Sequence, residues 1–514
     1  MTKTSRTAKS LKNAQVAAFF YLVNLILTFL LRKAFIDYLG AELLGLNSTV
    51  QDLLNFLNIA ELGISGAVSY MLYRPLFEED REKINEIVSV QGYLYRKVAY
   101  IMIAGAIILI CFFPLIFAKA QVESWFPYAT FVVLFCNPLW SYLFNYKQII
   151  LVAEQKDYKN LYIGQGFRAL KKMLQIPAVI LLPLGYVYWL VIEFIFSGIG
   201  ALVLNYRIHK EYPWLKINIG CGKKLKKKYP DILIKTKQLF FHRISSYVSA
   251  QITPLIIYSY TSLTLVAVYG NYQLIIYGIV AFLGVIFKSL GAGIGNLVAE
   301  GDPEKIRNVF WELVASRFWI ASCLCFGFYV LSSPLVSLWV GVQYIIDHQV
   351  LIWMVLTAFC IMNRITLDDF ISAYGMYQDI WVPLVNIVLA VGLSFLLGAF
   401  WGLTGILIGM FASSFFVLVW KPCFLYWNGF QEPVVNYFIP FTGYVVLAVG
   451  CGYVVMQVTD RFAFTPSASY WAFIKYGILM VGLYVVFFTP FFYFFSSGLR
   501  RFLKRMGTLF KFGF

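Results

Sequence analysis

Apolar runs of about 20 residues recur from one end of this sequence to the other, and they constrain the fold more than any other feature. A helix rises about 1.5 Å per residue, so a run of this length spans the roughly 30 Å of hydrocarbon in a bilayer. Hydrophobic residues make up 60% of the chain and charged residues only 13%. A soluble domain is about one-quarter charged. The sequence therefore predicts an all-α polytopic membrane protein.

Fourteen runs are long enough to be transmembrane helices. They cover residues 14–31, 44–72, 93–118, 125–150, 161–182, 184–206, 237–258, 263–298, 311–331, 346–366, 381–399, 401–420, 434–457 and 470–495. The basic N-terminus precedes the first run without a small-residue cleavage site, so we interpret that run as a retained span rather than a signal peptide.

The distribution of positive charge predicts the orientation of these spans. With the N-terminus in the cytoplasm, most of the 42 Lys and Arg residues fall in cytoplasmic segments. Only Arg32, Lys33, Lys119 and Arg461 fall in external ones. This is the positive-inside rule, and it predicts that both termini are cytoplasmic. It also accounts for the net charge of +17 without a nucleic-acid partner.

One stretch of the chain occurs twice. Leu43–Ile84 matches Leu265–Ile306 without a gap, at a constant offset of 222 residues. Both copies join a long apolar run to a charged turn of the form D-x-E-K-I. Such a repeat predicts two equivalent halves.

The repeat and the span count together predict two equivalent six-helix halves, plus a C-terminal helix pair. The predicted segments are an N-lobe at 1–206, a basic cytoplasmic linker at 207–236, a C-lobe at 237–422, the helix pair at 434–495 and a basic cytoplasmic tail at 496–514. The linker lysines, Lys223, Lys224, Lys226, Lys227 and Lys228, either touch anionic lipid headgroups or mark a cytoplasmic hinge whose charge enforces topology.

Polar residues follow one face of the second span. They are Asn47, Gln51, Asn55, Asn58, Glu61, Ser65 and Ser69, and on a continuous helix they fall within an arc of about 120°. A polar stripe of this length is typical of a helix that lines a water-filled cavity, although hydrogen bonding between packed helices also explains polar faces. Glu61 lies mid-span, where it is either an ion-coupling carboxylate or a structural carboxylate paired with a neighbouring cation.

Other spans add candidate site residues. Span 1 aligns Tyr21, Asn24, Thr28 and Arg32 at three- and four-residue spacing. Span 7 contributes Arg243, and span 8 contributes Gln273 and Lys288, a cation too deep to reach the interface easily. Asp52 and Glu193 are further ion-coupling candidates. Arg168, Lys171 and Lys172 of span 5 either extend to the cytoplasmic face or give a cavity positive charge.

No metal site is expected from this sequence. The eight cysteines lack metal-ligand or disulfide spacing, and the three histidines are scattered. We therefore expect no cofactor, apart from a coupling ion, H⁺ or Na⁺.

The first repeat copy and its flanks resemble a known family. LG-x-E-x-x-GL, AELGI, and LY-x-PL followed by the acidic D-x-x-KI turn look like the start of bacterial Wzx-type polysaccharide flippases. This family belongs to the multidrug/oligosaccharidyl-lipid/polysaccharide (MOP) superfamily. The resemblance implies two lobes facing a hydrophilic cavity that opens alternately to each side. Cavity cations in related flippases come from spans 1 and 8, which implies Arg32 and Lys288 here.

The resemblance also implies a function. The chain is expected to be a secondary-active flippase, not an enzyme, in the bacterial cytoplasmic (inner) membrane. It would move polyprenyl-diphosphate-linked oligosaccharides to the outer leaflet for O-antigen, capsule or exopolysaccharide assembly. Arg32, Arg243 and Lys288 would meet the diphosphate, and Asn24, Asn47, Gln51, Asn55, Asn58 and Gln273 would meet the sugar. Membrane lipids, a polysaccharide polymerase and glycosyltransferases are the expected partners.

Three alternatives remain open at this point. A multidrug or cation exporter of the same superfamily would need an acidic cavity, whereas these candidates are mixed or positive. A lipid II flippase would use the same diphosphate chemistry. A membrane-embedded polysaccharide polymerase would need a large external loop or an embedded acid–histidine site, and the adjacent Asp347 and His348 are a weak signal for one.

Overall fold

The chain forms two compact units, Met1–Ala267 and Val268–Phe514. The computed structural model describes residues 6–61, 63–154, 156–287, 294–295, 297–298, 300–376, 378–379, 381–461 and 464–511. Each unit has its own hydrophobic core. The core of the first unit includes Val68, Ile87 and Ile150, and that of the second includes Phe310, Phe318 and Phe488. The described residues are helical and contain no strand.

The first unit is built from ten helices and the start of an eleventh. They are α1 (Arg6–Leu39), α2 (Ala41–Leu57), α3 (Ile64–Phe77), α4 (Arg81–Ile116), α5 (Phe126–Leu143), α6 (Ile149–Ala153), α7 (Asp157–Leu181), α8 (Gly185–Glu211), α9 (Gly222–Lys228), α10 (Pro230–Tyr260) and α11 (Leu263–Phe287), which continues into the second unit.

The second unit contains the rest of α11 and six further described helices. They are α12 (Pro303–Trp339), α13 (His348–Ala373), α14 (Trp381–Leu425), α15 (Val435–Thr459), α16 (Tyr470–Phe495) and α17 (Ser497–Lys511). Helix α14 breaks at Gly402, whose φ of 54° and ψ of −132° are not helical. The break falls at the second residue of the predicted span 401–420, close to the predicted junction with span 381–399. Ser394 donates across it to the Ile406 carbonyl at 2.8 Å.

The predicted apolar runs correspond to helices in the structure. In the described part of the chain, nine helices are long and apolar enough to cross a membrane, with α14 counted once. The chain is therefore a multi-pass membrane protein. The full number of 14 crossings stays a prediction.

The second predicted span is not one continuous helix, contrary to the assumption behind its polar stripe. Helix α2 ends at Leu57, a 3₁₀ turn covers Asn58–Glu61, and α3 starts at Ile64. Gly63 caps α3 with a φ of 94°, a left-handed conformation that favours glycine. The polar residues after Asn55 therefore do not continue the face that they would share with Asn55 on one continuous helix.

Helices begin at equivalent residues of the two repeat copies. Helix α2 starts at Ala41 and α11 at Leu263, and α4 and α12 start one residue after Asp80 and Asp302. Both aspartates are N-caps: Asp80 accepts from the Lys83 amide, and Asp302 accepts from the amides of the two residues after Pro303. All these pairs are related by the offset of 222 residues, so the repeat found in the sequence is also a repeat of these helix starts.

The unit boundary lies further along the chain than the predicted linker at 207–236. Helix α10, assigned to the C-lobe from the sequence, packs against α2 and α3 within the first unit. The two compact units therefore do not have the bounds of the predicted lobes, 1–206 and 237–422. The lobes remain a prediction from the sequence.

Candidate functional site

A polar network lies inside the first unit where α1 and α7 pack together. The Lys172 ammonium of α7 donates to the Thr28 hydroxyl at 2.6 Å, to the Asn24 carbonyl at 3.2 Å and to the Asn24 side-chain oxygen at 3.4 Å. Asn24 is buried, and its amide donates to the Gln165 carbonyl at 3.3 Å. Within the described part of the chain, this half-buried lysine thus donates to three neutral oxygens of α1.

The network continues through α7 to α5 and α8. Glu193 of α8 is only 5% exposed. Its carboxylate pairs with Lys171 and accepts from Gln175 at 2.9 Å and from Asn137 at 3.2 Å. Glu193, predicted as an isolated ion-coupling candidate, therefore already has a bound cation and two amide donors.

The charges of this network do not balance. Lys171 and Lys172 contribute two positive charges, and Glu193 contributes one negative charge. A buried charge is stable only when it is paired or hydrogen-bonded, and Lys171 and Glu193 satisfy each other in this way. Lys172 is held by neutral oxygens, so the site has an excess positive charge available to an anion.

Both lysines were expected either at the cytoplasmic face or in a cavity, and the structure shows that they bond inside the helix bundle. Lys172 bonds to residues of α1, and Lys171 pairs with Glu193 of α8, to which Asn137 of α5 also donates. The sequence signal that finds them is the pair of neighbouring cations inside a predicted span, because cations at such depth require partners. The partners themselves depend on packing between helices that are far apart in sequence.

Tyrosine hydroxyls hold part of the predicted stripe of α2. Tyr186 donates to Asn47 at 2.9 Å, Tyr142 to Asn58 at 3.0 Å and Tyr95 to Glu61 at 2.8 Å. The three tyrosines come from α8, α5 and α4 and are all buried. This face of the stripe therefore points into the first unit, as the alternative of helix–helix hydrogen bonding predicted.

The other face of α2 is open. Gln51 is exposed and donates to Asn55 at 3.1 Å, while Ser48, Asp52 and Asn55 are half-buried. These residues share a helix face at three- and four-residue spacing. Asp52 has no hydrogen-bond or ion-pair partner among the described residues. Because exposing such groups to hydrocarbon is costly, we expect this face to lie against water.

Arg32 lies at a corner between helix ends. Its guanidinium donates to the Ala267 carbonyl at 2.8 Å. Next to it, Thr264 donates to Glu42 at 2.6 Å. A Cβ on Gly45 would lie 1.9 Å from the Leu263 carbonyl oxygen, so only glycine allows this contact. Two helix corners, at the start of α2 and at the start of α11, are thus in close contact at the predicted external end.

The second unit contains a different polar network. Buried Arg317 donates to Asp369 at 2.7 Å, and Lys421 lies 3.5 Å from Asp368 and 3.3 Å from Asp379. Arg364 also pairs with Asp368 at 3.0 Å. The three cations and three carboxylates balance, unlike the charges of the first unit.

Three predicted site residues are not tested by these contacts. Gln273 is half-buried on α11. Lys288 lies outside the described residues, and so does the side chain of Arg243, although its backbone belongs to α10. Their roles remain predictions.

Comparison with known proteins identifies a fold. No protein-family model matches the sequence, and no curated protein matches it. Solved structures do match, and they are structures of membrane transporters and of a lipid flippase. The identities are low, so these matches show a shared fold.

Three structures illustrate the likeness. The lipid II flippase MurJ in an inward closed conformation has a TM-score of 0.61 at 14% identity, covering 93% of this chain and 98% of its own. An inward-facing multidrug resistance MATE family transporter of the MOP superfamily has a TM-score of 0.56 at 14% identity, covering 77% and 93%. A mutant of the Vibrio cholerae MATE transporter VcmN has a TM-score of 0.51 at 13% identity, covering 83% and 99%.

Proposed function

We propose that this chain is a MOP-superfamily flippase that moves polyprenyl-diphosphate-linked oligosaccharides across the cytoplasmic membrane for surface polysaccharide assembly. It acts as a transporter and not as an enzyme, by alternating access, with both termini in the cytoplasm. A diphosphate cannot cross hydrocarbon unshielded, so the protein must supply cations and hydrogen-bonding groups within the membrane.

The observation that carries this proposal is the excess positive charge at Lys172. Its ammonium is held by Thr28 and Asn24, which are neutral acceptors. A phosphate oxygen is a charged acceptor, and hydrogen bonds between charged groups are stronger than those to neutral oxygens. A headgroup phosphate would therefore compete well for this lysine.

Sugar recognition would use the amide groups of α2. Gln51 and Asn55 lie on the open face of that helix, and amides donate to and accept from hydroxyl groups. Asp52, on the same face, is our candidate for ion coupling. Glu61 and Glu193 remain candidates, although each already accepts hydrogen bonds within the first unit.

A multidrug exporter is the alternative in a different transport class. Organic cations favour an acidic site, and the embedded network of the first unit is net positive. A lipid II flippase would share the diphosphate chemistry, so the two flippases differ in the sugar and not in the role of Lys172.

The test is headgroup flipping in proteoliposomes, using a polyprenyl diphosphate oligosaccharide with a shortened lipid. We expect Lys172→Gln to slow flipping by about tenfold or more, the equivalent of one lost charged hydrogen bond of about 1.4 kcal/mol or more. Lys172→Arg keeps the charge and should keep most of the activity. Lys210→Gln, an exposed cation near the end of α8, is the matched control and should be unaffected.

Two results would contradict the proposal. One is wild-type flipping by folded Lys172→Gln protein. The other is transport of a cationic dye, with no flipping of the diphosphate lipid, which would favour the exporter.

A further inference from the structure

Each unit carries a short basic helix beside its membrane-spanning helices. In the first unit it is α9, with the sequence GKKLKKK, and in the second it is α17, with the sequence SGLRRFLKRMGTLFK. The two sequences are different, and α17 directly follows a span while α9 lies inside the linker. The proposed transport function uses neither helix.

Helix α9 is fixed to the N-terminal part of α4. A Cβ on Gly222 would lie 2.3 Å from the Tyr93 Cβ and 3.2 Å from the Ser89 carbonyl oxygen, so the helix packs closely through this glycine. At its other end, Lys228 pairs with Glu86 at 2.7 Å. Before it, the Asn218 amide donates to the Ser89 hydroxyl at 3.0 Å. This part of the linker is therefore packed against α4.

Helix α17 is fixed to the N-terminal part of α12 in the same manner. A Cβ on Gly498 would lie 2.2 Å from the Trp311 carbonyl oxygen and 3.1 Å from the Ala315 Cβ. Leu499 is 1% exposed. Arg505 pairs with Glu312 at 3.3 Å. The predicted basic tail is therefore a docked helix over its described part.

The two docking sites are equivalent positions of the repeat. Gly222 packs on residues 89 and 93 of α4, and Gly498 packs on residues 311 and 315 of α12. Both pairs of positions differ by the offset of 222 residues that relates Asp80 to Asp302. The two basic helices differ in sequence and in their position along the chain. Each nevertheless packs through a glycine against the equivalent residues of its repeat copy.

The charged side of α9 has no protein partner in the described part of the chain. Lys223, Lys224 and Lys227 are exposed, and Lys226 is half-buried. None of the four forms an ion pair with a described acidic residue. Four cations held together on a docked helix repel one another, so an anionic partner would stabilise this surface.

The position of α9 relative to the membrane indicates which partner. Its contacts run from Glu86 to Tyr93 on α4, about 10 Å along a helix axis, and the predicted apolar part of α4 begins at residue 93. Tyr93 itself contacts Gly222, so α9 lies beside the predicted start of the apolar part, and the Debye length at physiological salt is about 8 Å. The lysines therefore lie within electrostatic reach of the headgroups at the cytoplasmic end of α4.

We propose that α9 and α17 are a matched pair of membrane-surface helices that bind anionic phospholipid headgroups of the cytoplasmic leaflet. Basic helices that dock by an apolar side and present lysine and arginine at the interface bind such lipids through charge. In α17 the exposed cations are Arg500, Lys504 and Arg505, of which Arg505 also pairs with Glu312. This role is independent of the cargo.

The experiment uses the full-length protein in nanodiscs, with no transport substrate present. Native mass spectrometry counts the lipids that remain bound after release from discs of phosphatidylcholine mixed with phosphatidylglycerol. We expect the wild type to retain phosphatidylglycerol preferentially. The quadruple variant K223Q/K224Q/K226Q/K227Q should lose at least about half of this preference, and the four matching Lys→Arg changes should keep it.

Controls separate lipid binding from topology and folding. K475Q removes an exposed cation at the opposite end of α16 from α17 and should leave the preference unchanged. If the quadruple variant does not insert, the pair K223Q/K224Q is measured instead, with a proportionally smaller loss expected. Equal retention of both lipids by the wild type would overturn the proposal, as would an unchanged preference in the glutamine variants.

Discussion

At the scale of single residues, the buried pair of Lys171 and Glu193 shows how the first unit tolerates charge. The side chains are 14% and 7% exposed, and Gln175 and Asn137 complete the bonding of the carboxylate. A buried ion pair adds little net stability, but the loss of one partner is costly because the other charge is left buried. The pair thus adds little stability, but neither residue can be replaced alone without a large loss of stability.

This constraint leads to a prediction about rescue. Lys171→Met alone should destabilise the protein by about 3 kcal/mol, because Glu193 loses its cation. The double variant Lys171→Met/Glu193→Gln should recover most of that loss, since no buried charge remains. Thermal unfolding in detergent measures both.

The surface pair Lys33 and Asp37 provides the comparison. Their side chains are 44% and 37% exposed, and Lys33→Met should change stability by less than about 1 kcal/mol. If Lys171→Met/Glu193→Gln is no more stable than Lys171→Met alone, Lys171 and Glu193 do not act as a unit.

At the scale of helices, the break between α2 and α3 decides which polar groups face inward. Gly63 provides the left-handed residue at this break. Without the break, the stripe would run along one side of a single helix. With it, Glu61 reaches Tyr95 of α4, and the open polar face ends near Asn55.

A substitution at the break tests its importance. Gly63→Ala should destabilise the protein by about 1–2 kcal/mol, because a Cβ is strained at a φ of 94°. Gly164→Ala is the matched control, since it lies inside α7 with open space around it, and it should be neutral or stabilising by up to about 1 kcal/mol. Similar effects of the two changes on the unfolding temperature would be inconsistent with a strained left-handed position.

Sequence reasoning succeeded and failed at this scale for identifiable reasons. The apolar runs predicted the helices because hydrophobic length is a local property. The repeated D-x-E-K-I turns were read only as charged ends of the apolar runs, and in the structure their aspartates are helix N-caps. The break at Gly63 was missed because AELGI fits a continuous helix as well as a broken one. The partners of Lys172 were missed because they lie on α1, more than 140 residues away.

At the scale of the whole molecule, the orientation of the chain in the membrane follows from its charge. The linker and the tail are the most basic segments, and the N-terminal ends of α4 and α12 carry both docked helices. All of these segments are predicted to be cytoplasmic. The external segments contain few cations, and the corner near Gly45 lies among them.

Cysteine labelling tests this orientation. Cys221 is exposed beside α9, and a membrane-impermeant maleimide should label it only after the cells are permeabilised. Val342, 68% exposed in the turn after α12, is predicted to be external, so Val342→Cys should be labelled in intact cells. Peptide mapping assigns each label, and the reverse pattern would invert the topology.

The contact between Glu42 and Thr264 has a consequence for the history of the chain. These residues are separated by 222 positions, so each is the counterpart of the other in the repeat. In a homodimer of the ancestral half, a residue that touches its own counterpart must be compatible with itself. Two glutamates in that position would repel each other. An acid facing a hydroxyl at these equivalent positions requires two copies of different sequence, which a single chain carrying both copies can provide.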